Sequence, residues 1–285
     1  MRLFTTPDAM RAWSHDQRRG GHRVAVVPTM GALHAGHLAL VEAALQRADR
    51  VIVTIFVNSL QFNLSNDFDS YPRPIDDDLS ACERAGVDAV YAPTAAAMYS
   101  SEFQTYVEPG ELADRLEGPL RPGHFRGVTT VVTKLLGATT PDLALFGQKD
   151  FQQLAIIRRM VTDLDLGVEI VGVPIIREPD GLASSSRNVR LSPDDRVGAV
   201  VLSQALTAAA SAFLEGERSA DSVMATVVSL IKTEPRASLE YVAVVDATTL
   251  QPVTRIESPA VVLLAGWFGD VRLIDNCVLG DNGHC

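Results

Sequence analysis

The sequence predicts an α/β protein with a parallel sheet, followed by a smaller α+β unit, and three observations carry that reading. Apolar runs rich in β-branched residues alternate with amphipathic helical stretches through the first two thirds of the chain. Val24 to Val27, a helix from Leu38 to Ala48 and the run Val51 to Val57 make a strand, a helix and a strand in about 35 residues, the length of a βαβ unit. Beyond Leu191 the order changes to two apolar helices and then three strand-like runs, the pattern of an α+β unit. With 285 residues and 47% hydrophobic content the chain can bury a sizeable core. The change in pattern sets an expected boundary near residue 188, giving domains 1–188 and 189–285.

Taken in order, Thr6 to Gly20 reads as a first helix, with Thr6 or Asp8 as N-cap and Gly20-Gly21 as the stop. Strand Arg23 to Val27 follows. Leu38, Leu40, Val41, Ala44, Leu45 and Ala48 recur at helical spacing, and Val51 to Val57 is a strand covered on both faces. Phe62 to Pro74 is polar and aromatic with two prolines, a loop suited to covering a site. A helix from Asp76 to Ala85 and a strand from Val87 to Ala92 come next, with Thr105 to Val107 as a further short strand. Val128, Val131, Val132 and Leu135 mark a helix from Gly127 to Leu136. Pro141 to Phe146 is a strand, Asp150 to Leu164 a helix and Val168 to Ile176 a strand. The last part holds helices Pro193 to Glu215 and Ala220 to Thr233, then strands Leu239 to Val245, Ala260 to Ala265 and Val271 to Ile274.

The net charge of −10 and the lack of a continuous basic run argue against nucleic acid as the main partner. No stretch has eighteen consecutive apolar residues, and Met1 to Arg11 lacks the apolar core of a signal peptide, so a cytoplasmic protein without membrane partners is the expectation. Cys82, Cys277 and Cys285 are an odd, widely spaced set that suits reduced thiols.

The stretch from Pro28 to Leu38 organises the chain. A buried strand runs into a Gly-containing turn and then a helix, which directs backbone N–H groups and the helix dipole towards an anion, with phosphate the obvious guest. His34 and His37 are three apart at the turn, so both imidazoles can face one bound group. Gly147 to Gln153 and Ser184 to Asn188 likewise follow strands, so all three clusters are expected on the carboxyl rim of the sheet, with Asn58 and Gln61. Lys149, at a strand end, is a candidate phosphate contact beside the alternative of a solvated surface lysine, and Ser184, Ser185, Ser186 and Arg187 offer hydroxyls and a guanidinium fork. Asp76, Asp77 and Asp78 open a helix, where capping is the favoured role; Asp77 and Asp78 are the candidate metal ligands. The Walker A loop and Gly-x-Gly-x-x-Gly are both absent.

The His-x-Gly-His turn with a distal Lys- and Ser-containing loop resembles the nucleotidylyltransferase superfamily, which implies a Rossmann-like parallel sheet of the HxGH type. The resemblance extends to the pantothenate synthetase family. It rests on Pro28 to His37, Ile55 to Asn58, Gln61-Phe62, Tyr71 to Arg73, Arg121 to Phe125, Phe146 to Gln153, Asp180 to Ala183, Ser185 to Asn188 and Arg272 to Asn276, in that order along nearly the whole chain.

That resemblance implies ATP-dependent condensation of pantoate with β-alanine through a pantoyl-adenylate, with magnesium, in a homodimer. It places ATP against Met30, Gly31, Ala32, Leu33, His34, Ala35, Gly36 and His37, against Gly147, Gln148, Lys149 and Asp150, against the backbone of Ile176, and against Ser184 to Arg187. His37, His34, Lys149 and Arg187 become the catalytic set, and Gln61 and Gln153, with Asn58 and Arg121, the acid-binding set. Ala35, Ser59, Asn63-Leu64-Ser65 and Ser184 depart from the family pattern, yet none removes a charged catalytic group. An adenylate-forming ligase for another acid or amine, or a non-catalytic nucleotide-binding relative, remains open at this stage.

Overall fold

The computed structural model describes residues 1–63, 68–257 and 259–280. Residues 64–67 of the expected covering loop, with the Leu64-Ser65 departure, and Cys285 lie outside the described residues. By its contacts the chain divides into two units, Met1–Gln148 with Gln152–Val173, and Lys149–Phe151 with Pro174–Cys285. The stretch 174–188 therefore packs with the second unit, although its position before the change of pattern predicts the first domain.

The first unit is a six-stranded sheet of β1 (Arg2–Phe4), β2 (Val24–Thr29), β3 (Arg50–Ile55), β4 (Ala89–Tyr91), β5 (Leu143–Gly147) and β6 (Glu169–Val173). Every pairing is parallel, and the order is β1-β4-β3-β2-β5-β6. Helices α1 (Pro7–Arg19), α2 (Ala35–Leu45), α3 (Ile75–Arg84), α4 (His124–Thr139) and α5 (Phe151–Asp163) connect the strands.

The apolar run of β2 is sorted by its period of two. Val24 and Val26 enter the core shared with Met10 and Trp13 of α1 and with Val128, Val131 and Leu135 of α4. Ala25 and Val27 enter the opposite core, with Leu40, Val41 and Ala44 of α2. Burial on both faces is what a continuous β-branched run requires. Strand order reverses around β2, with β3 on one side and β5 on the other, so the carboxyl ends of β2 and β5 flank the switch point where open α/β sheets bind ligands.

Two expectations for this unit change. β1 is not foreseen, because three residues carry too little pattern. Thr105 to Val107 forms no strand: Val107 donates to Thr130 Oγ1 at 3.1 Å and accepts from Thr129 Oγ1 at 2.6 Å, so helix side chains satisfy its backbone in place of a ladder.

In the second unit, β7 (Ala237–Asp246), β8 (Ala260–Phe268) and β9 (Val271–Leu279) form an antiparallel meander. Its apolar core takes in α6 (Val201–Leu214) and α7 (Ala220–Ile231). The expected helix from Pro193 to Glu215 is divided, a short helix Pro193–Gly198 preceding α6. Residues 193–214 are long and apolar enough to cross a membrane by composition. Here Val201, Leu202, Ala205, Leu206 and Ala209 are core residues, which accounts for the apolarity. Cys82 is a buried thiol whose pKa is pushed up to about 11 by burial and by the nearby Asp78 charge, so it stays protonated and inert.

Candidate active site

The turn from β2 into α2 is held by side chains. Gly31 has φ +81°, and a Cβ there would stand 2.8 Å from Asp78 Oδ2 and 3.1 Å from Ile55 Cγ2, so only glycine fits. Thr29 Oγ1 accepts from the Gly31 amide at 3.1 Å while donating to the Thr54 carbonyl at 2.6 Å. Asp78, in the first turn of α3 and 3% exposed, accepts from the Ala32 amide at 2.9 Å through one oxygen and from the Leu33 amide at 2.7 Å through the other.

The two histidines complete the turn by capping α2 reciprocally. His34 Nδ1 accepts from the Gly36 amide at 3.1 Å, and His37 Nδ1 accepts from the His34 amide at 3.3 Å. Their ring centroids are 4.1 Å apart. A neutral imidazole that accepts at Nδ1 carries its proton on Nε2, so the cap assigns the same tautomer to both rings and makes each Nε2–H the donor.

This geometry revises two expectations. The amides of Gly31, Ala32, Leu33, His34 and Gly36 are already engaged by Thr29, Asp78, His37 and His34, so the turn offers imidazole donors to a ligand in place of those amides. Asp78 spends both oxygens on the turn, while Asp77 is exposed. Among the described residues no group of three or more His, Cys, Asp or Glu side chains could hold a metal ion. With both oxygens on the turn, Asp78 is an anchor of the turn and not an open metal ligand. Asp78→Ala is expected to destabilise the fold by about 2 kcal/mol, since it leaves two part-buried amides without their acceptors, whereas Asp77→Ala should be neutral. Urea unfolding of both variants checks this, and equal midpoints would remove the anchoring role.

The second grouping lies around the 3₁₀ turn Ser59–Gln61, just past β3. Asn58 is 1% exposed. Its Nδ2 donates to Gln61 Oε1 at 2.9 Å and to the Gly127 carbonyl at 3.0 Å, and its Oδ1 accepts from Tyr99 Oη at 2.7 Å and from the Leu60 amide at 3.4 Å. All four capacities of the carboxamide are used. Asn58, expected among the substrate-binding groups, is therefore an orienting residue for Gln61, because burial demands that every polar atom find a protein partner. Burial also raises the Tyr99 phenol pKa, so its hydroxyl remains a donor.

Gln61 Nε2 reaches Met30 Sδ at 3.3 Å, which brings the acid-binding candidate against the histidine turn. The Gln61 carbonyl receives His124 Nδ1 at 2.8 Å and Arg121 at 3.5 Å, and the Arg121 guanidinium meets His124 Nε2 at 3.1 Å. Arginine only donates, so His124 Nε2 accepts and its Nδ1 carries the proton. Arg121 thus braces the Gln61 backbone through the buried His124. Sequence reasoning missed Tyr99, His124 in this role and Gly127, since each acts across 41 to 69 residues from its partner.

Gln153 lies in the first turns of α5, half-buried. Its neighbour Gln152 is structural: 3% exposed, it ties the carbonyls of Leu112 and Arg115 and the amide of Glu117. Gly147 ends β5, and Gln148 begins the 3₁₀ turn Gln148–Asp150.

The remaining candidates belong to the second unit. Lys149 is half-buried and Asp150 exposed. Residues 176–184 fold back on themselves, Ser184 N donating to the Ile176 carbonyl and Glu178 N to the Leu182 carbonyl, both at 2.8 Å. Asn188 ties this hairpin through Glu178 at 2.7 Å and the Ala183 carbonyl at 3.0 Å, and Ser185 Oγ accepts from the Arg187 amide at 3.2 Å. The serine run is an ordered turn, with Ser184 9% exposed, and no flexible linker.

A parallel sheet whose order reverses at β2, with a histidine-capped helix following that strand, defines a Rossmann-like α/β protein, the fold expected from the resemblance to the HxGH nucleotidylyltransferase type. The family model described as pantoate-beta-alanine ligase matches residues 2–278. The pantothenate synthetase of Geobacter sulfurreducens is 49% identical over 281 residues, 99% of each chain. That of Heliobacterium modesticaldum is 50% identical over 279 residues, 98% of this chain and 99% of its own. Among solved structures, the pantothenate synthetase from Thermus thermophilus superposes with a TM-score of 0.92 at 43% identity, covering 97% of this chain and 98% of that one. The pantoate-beta-alanine ligase from Francisella tularensis, complexed with beta-gamma ATP and beta-alanine, gives a TM-score of 0.78 at 32% identity, covering 97% of both chains. The chain belongs to the pantoate-beta-alanine ligase family and is an enzyme.

Proposed function

We propose that this enzyme joins (R)-pantoate to β-alanine with the hydrolytic energy of ATP, giving pantothenate, AMP and pyrophosphate in pantothenate and coenzyme A biosynthesis. The observation that carries the reading is the contact of Gln61 with Met30: the amide suited to the acid abuts the turn whose imidazoles suit a phosphate. In the first step a pantoate carboxylate oxygen bonds to the α-phosphorus, and the bond to the bridging oxygen breaks, releasing pyrophosphate with that electron pair. In the second the uncharged amine of β-alanine bonds to the acyl carbon, AMP leaves with the oxygen, and the amine gives up a proton.

Both reactants of the first step are anions, so the protein's task is to hold them together and to meet charge as it moves onto pyrophosphate. In this reading the Nε2–H groups of His37 and His34 donate to phosphate oxygens, and Lys149 and Arg187 supply positive charge. Met30 to Gly36, Gly147 to Asp150, Ile176 and Ser184 to Ser186 form the remaining nucleotide contacts. Gln61 and Gln153 hold pantoate, with Asn58 and Arg121 behind Gln61. Magnesium belongs to the triphosphate as its counter-ion, since both oxygens of Asp78 are spent on the turn. A homodimer in the cytoplasm, with small-molecule substrates, completes the proposal, with 1–188 as the ATP- and pantoate-binding domain and 189–285 as the smaller C-terminal domain.

The test is pantoate-dependent exchange of labelled pyrophosphate into ATP without β-alanine, followed by AMP formation when β-alanine is added. Exchange that requires pantoate, and AMP that requires both substrates, is the expected result. AMP formed with both substrates but no exchange would remove the adenylate, and no pantoate dependence would remove the substrate assignment.

A further inference from the structure

Asp275 and Asn276 close the family-like run Arg272 to Asn276, and nothing in the proposed reaction uses them. They sit on β9, opposite Leu264 and Leu263 of β8, and are 3% and 2% exposed. Two adjacent polar residues buried in a sheet are costly unless each is fully partnered. Their partners lie in the two segments of this unit that carry the proposed nucleotide contacts.

Asn276 Nδ2 donates to the main-chain carbonyl of Lys149 at 2.9 Å. Asp275 receives Arg177 in a two-point pair, 2.8 Å to Oδ2 and 3.1 Å to Oδ1, and its Oδ1 also accepts from the Asn276 amide at 2.8 Å. The same Arg177 donates to the Gly181 carbonyl at 3.1 Å and pairs with Ala183 across the hairpin that leads into the serine run. A buried ion pair contributes little net stability, because desolvation offsets the attraction, but its two-point geometry fixes orientation.

The geometry points to Asp275 and Asn276 as positioning residues that register Lys149 and the 176–187 hairpin to one rigid strand. Asn276 sets the main chain from which the Lys149 side chain extends, and Asp275 sets the hairpin through Arg177. This rests on the proposed role of Lys149. A displacement of about 1 Å at such a group is enough to lower turnover roughly 100-fold.

Asn276→Ala, Lys149→Ala and the double variant test the idea in the full-length enzyme. Asn276→Ala should lower kcat for AMP formation by about 10- to 100-fold with the KM for pantoate unchanged. In the Lys149→Ala background the same substitution should have almost no further effect, since the group it positions is gone. Amide hydrogen exchange of the peptide spanning residues 148–153 should quicken in Asn276→Ala while the urea midpoint moves little. Additive kinetic effects in the double variant, or exchange unchanged at 148–153, would overturn the inference. The exchange measurement needs no turnover, so an enzyme inactive on pantoate would defeat the proposed function and still leave the tether open to test.

Discussion

Replacing His37 by asparagine is expected to lower pantoate-dependent AMP formation by about 100- to 1,000-fold while leaving the protein folded. The choice of asparagine follows from the capping geometry. His37 Nδ1 accepts from the His34 amide at 3.3 Å, and the asparagine Oδ1 occupies a similar position and also accepts. The cap of α2 survives, and only the Nε2–H donor is lost. His37→Ala removes both, so it should show the same loss of turnover together with a lower unfolding midpoint, by about 1 kcal/mol for the lost cap. The pair of variants separates chemistry from folding. Steady-state kinetics and urea unfolding are the measurements, and wild-type turnover in His37→Asn would show that the imidazole only caps the helix.

Gly127→Ala has the largest expected effect on stability. Gly127 lies in α4 where that helix crosses the Ser59–Gln61 turn, and a Cβ there would stand 2.3 Å from the Leu60 carbonyl oxygen, 2.5 Å from its carbon and 2.7 Å from the Gln61 nitrogen. All three are main-chain atoms, so no side chain can swing away to make room. The helix and the turn must separate, which also strains the bond from Asn58 to the Gly127 carbonyl. Overpacking of this kind costs about 1–3 kcal/mol, and loss of the buried amide's partner adds to it. Because Asn58 orients Gln61, the KM for pantoate should rise as well, with the KM for ATP much less affected. Chemical unfolding and pantoate titration check both parts. A variant as stable as the parent would mean that α4 and the turn are not held at this distance.

These two sites differ in how far they can be read from the chain. The histidine turn is legible because its parts are neighbours: strand, Gly31, His34 and His37 fall within fourteen residues of the start of β2, and their spacing alone puts both imidazoles at a helix start. The Asn58 network is not. Tyr99 and Gly127 lie 41 and 69 residues from Asn58, inside segments whose local pattern reads only as loop and helix. Asn58 itself reads as a ligand contact, since a polar residue past a strand end looks the same whether it faces a substrate or four protein partners. Asp78 is intermediate: its place in a first turn argues for capping, but the amides that it accepts from belong to another helix's turn, 45 and 46 residues away.

Five of the six parallel strands, the main helices between them and the identity of the chemical groups follow from the sequence by itself, because hydrophobic periodicity and strand-end motifs are local properties of the chain. The ordered family-like motifs carry the class of reaction for the same reason. Tertiary structure decided what each polar residue is used for. It showed that five amides of the histidine turn are already occupied, that Asp78 and Asn58 are spent on the protein, and that Asn276 reaches back 127 residues to the carbonyl of Lys149. Such assignments depend on which groups burial brings together, and a buried hydrogen-bonding group must find its partner wherever the fold places one.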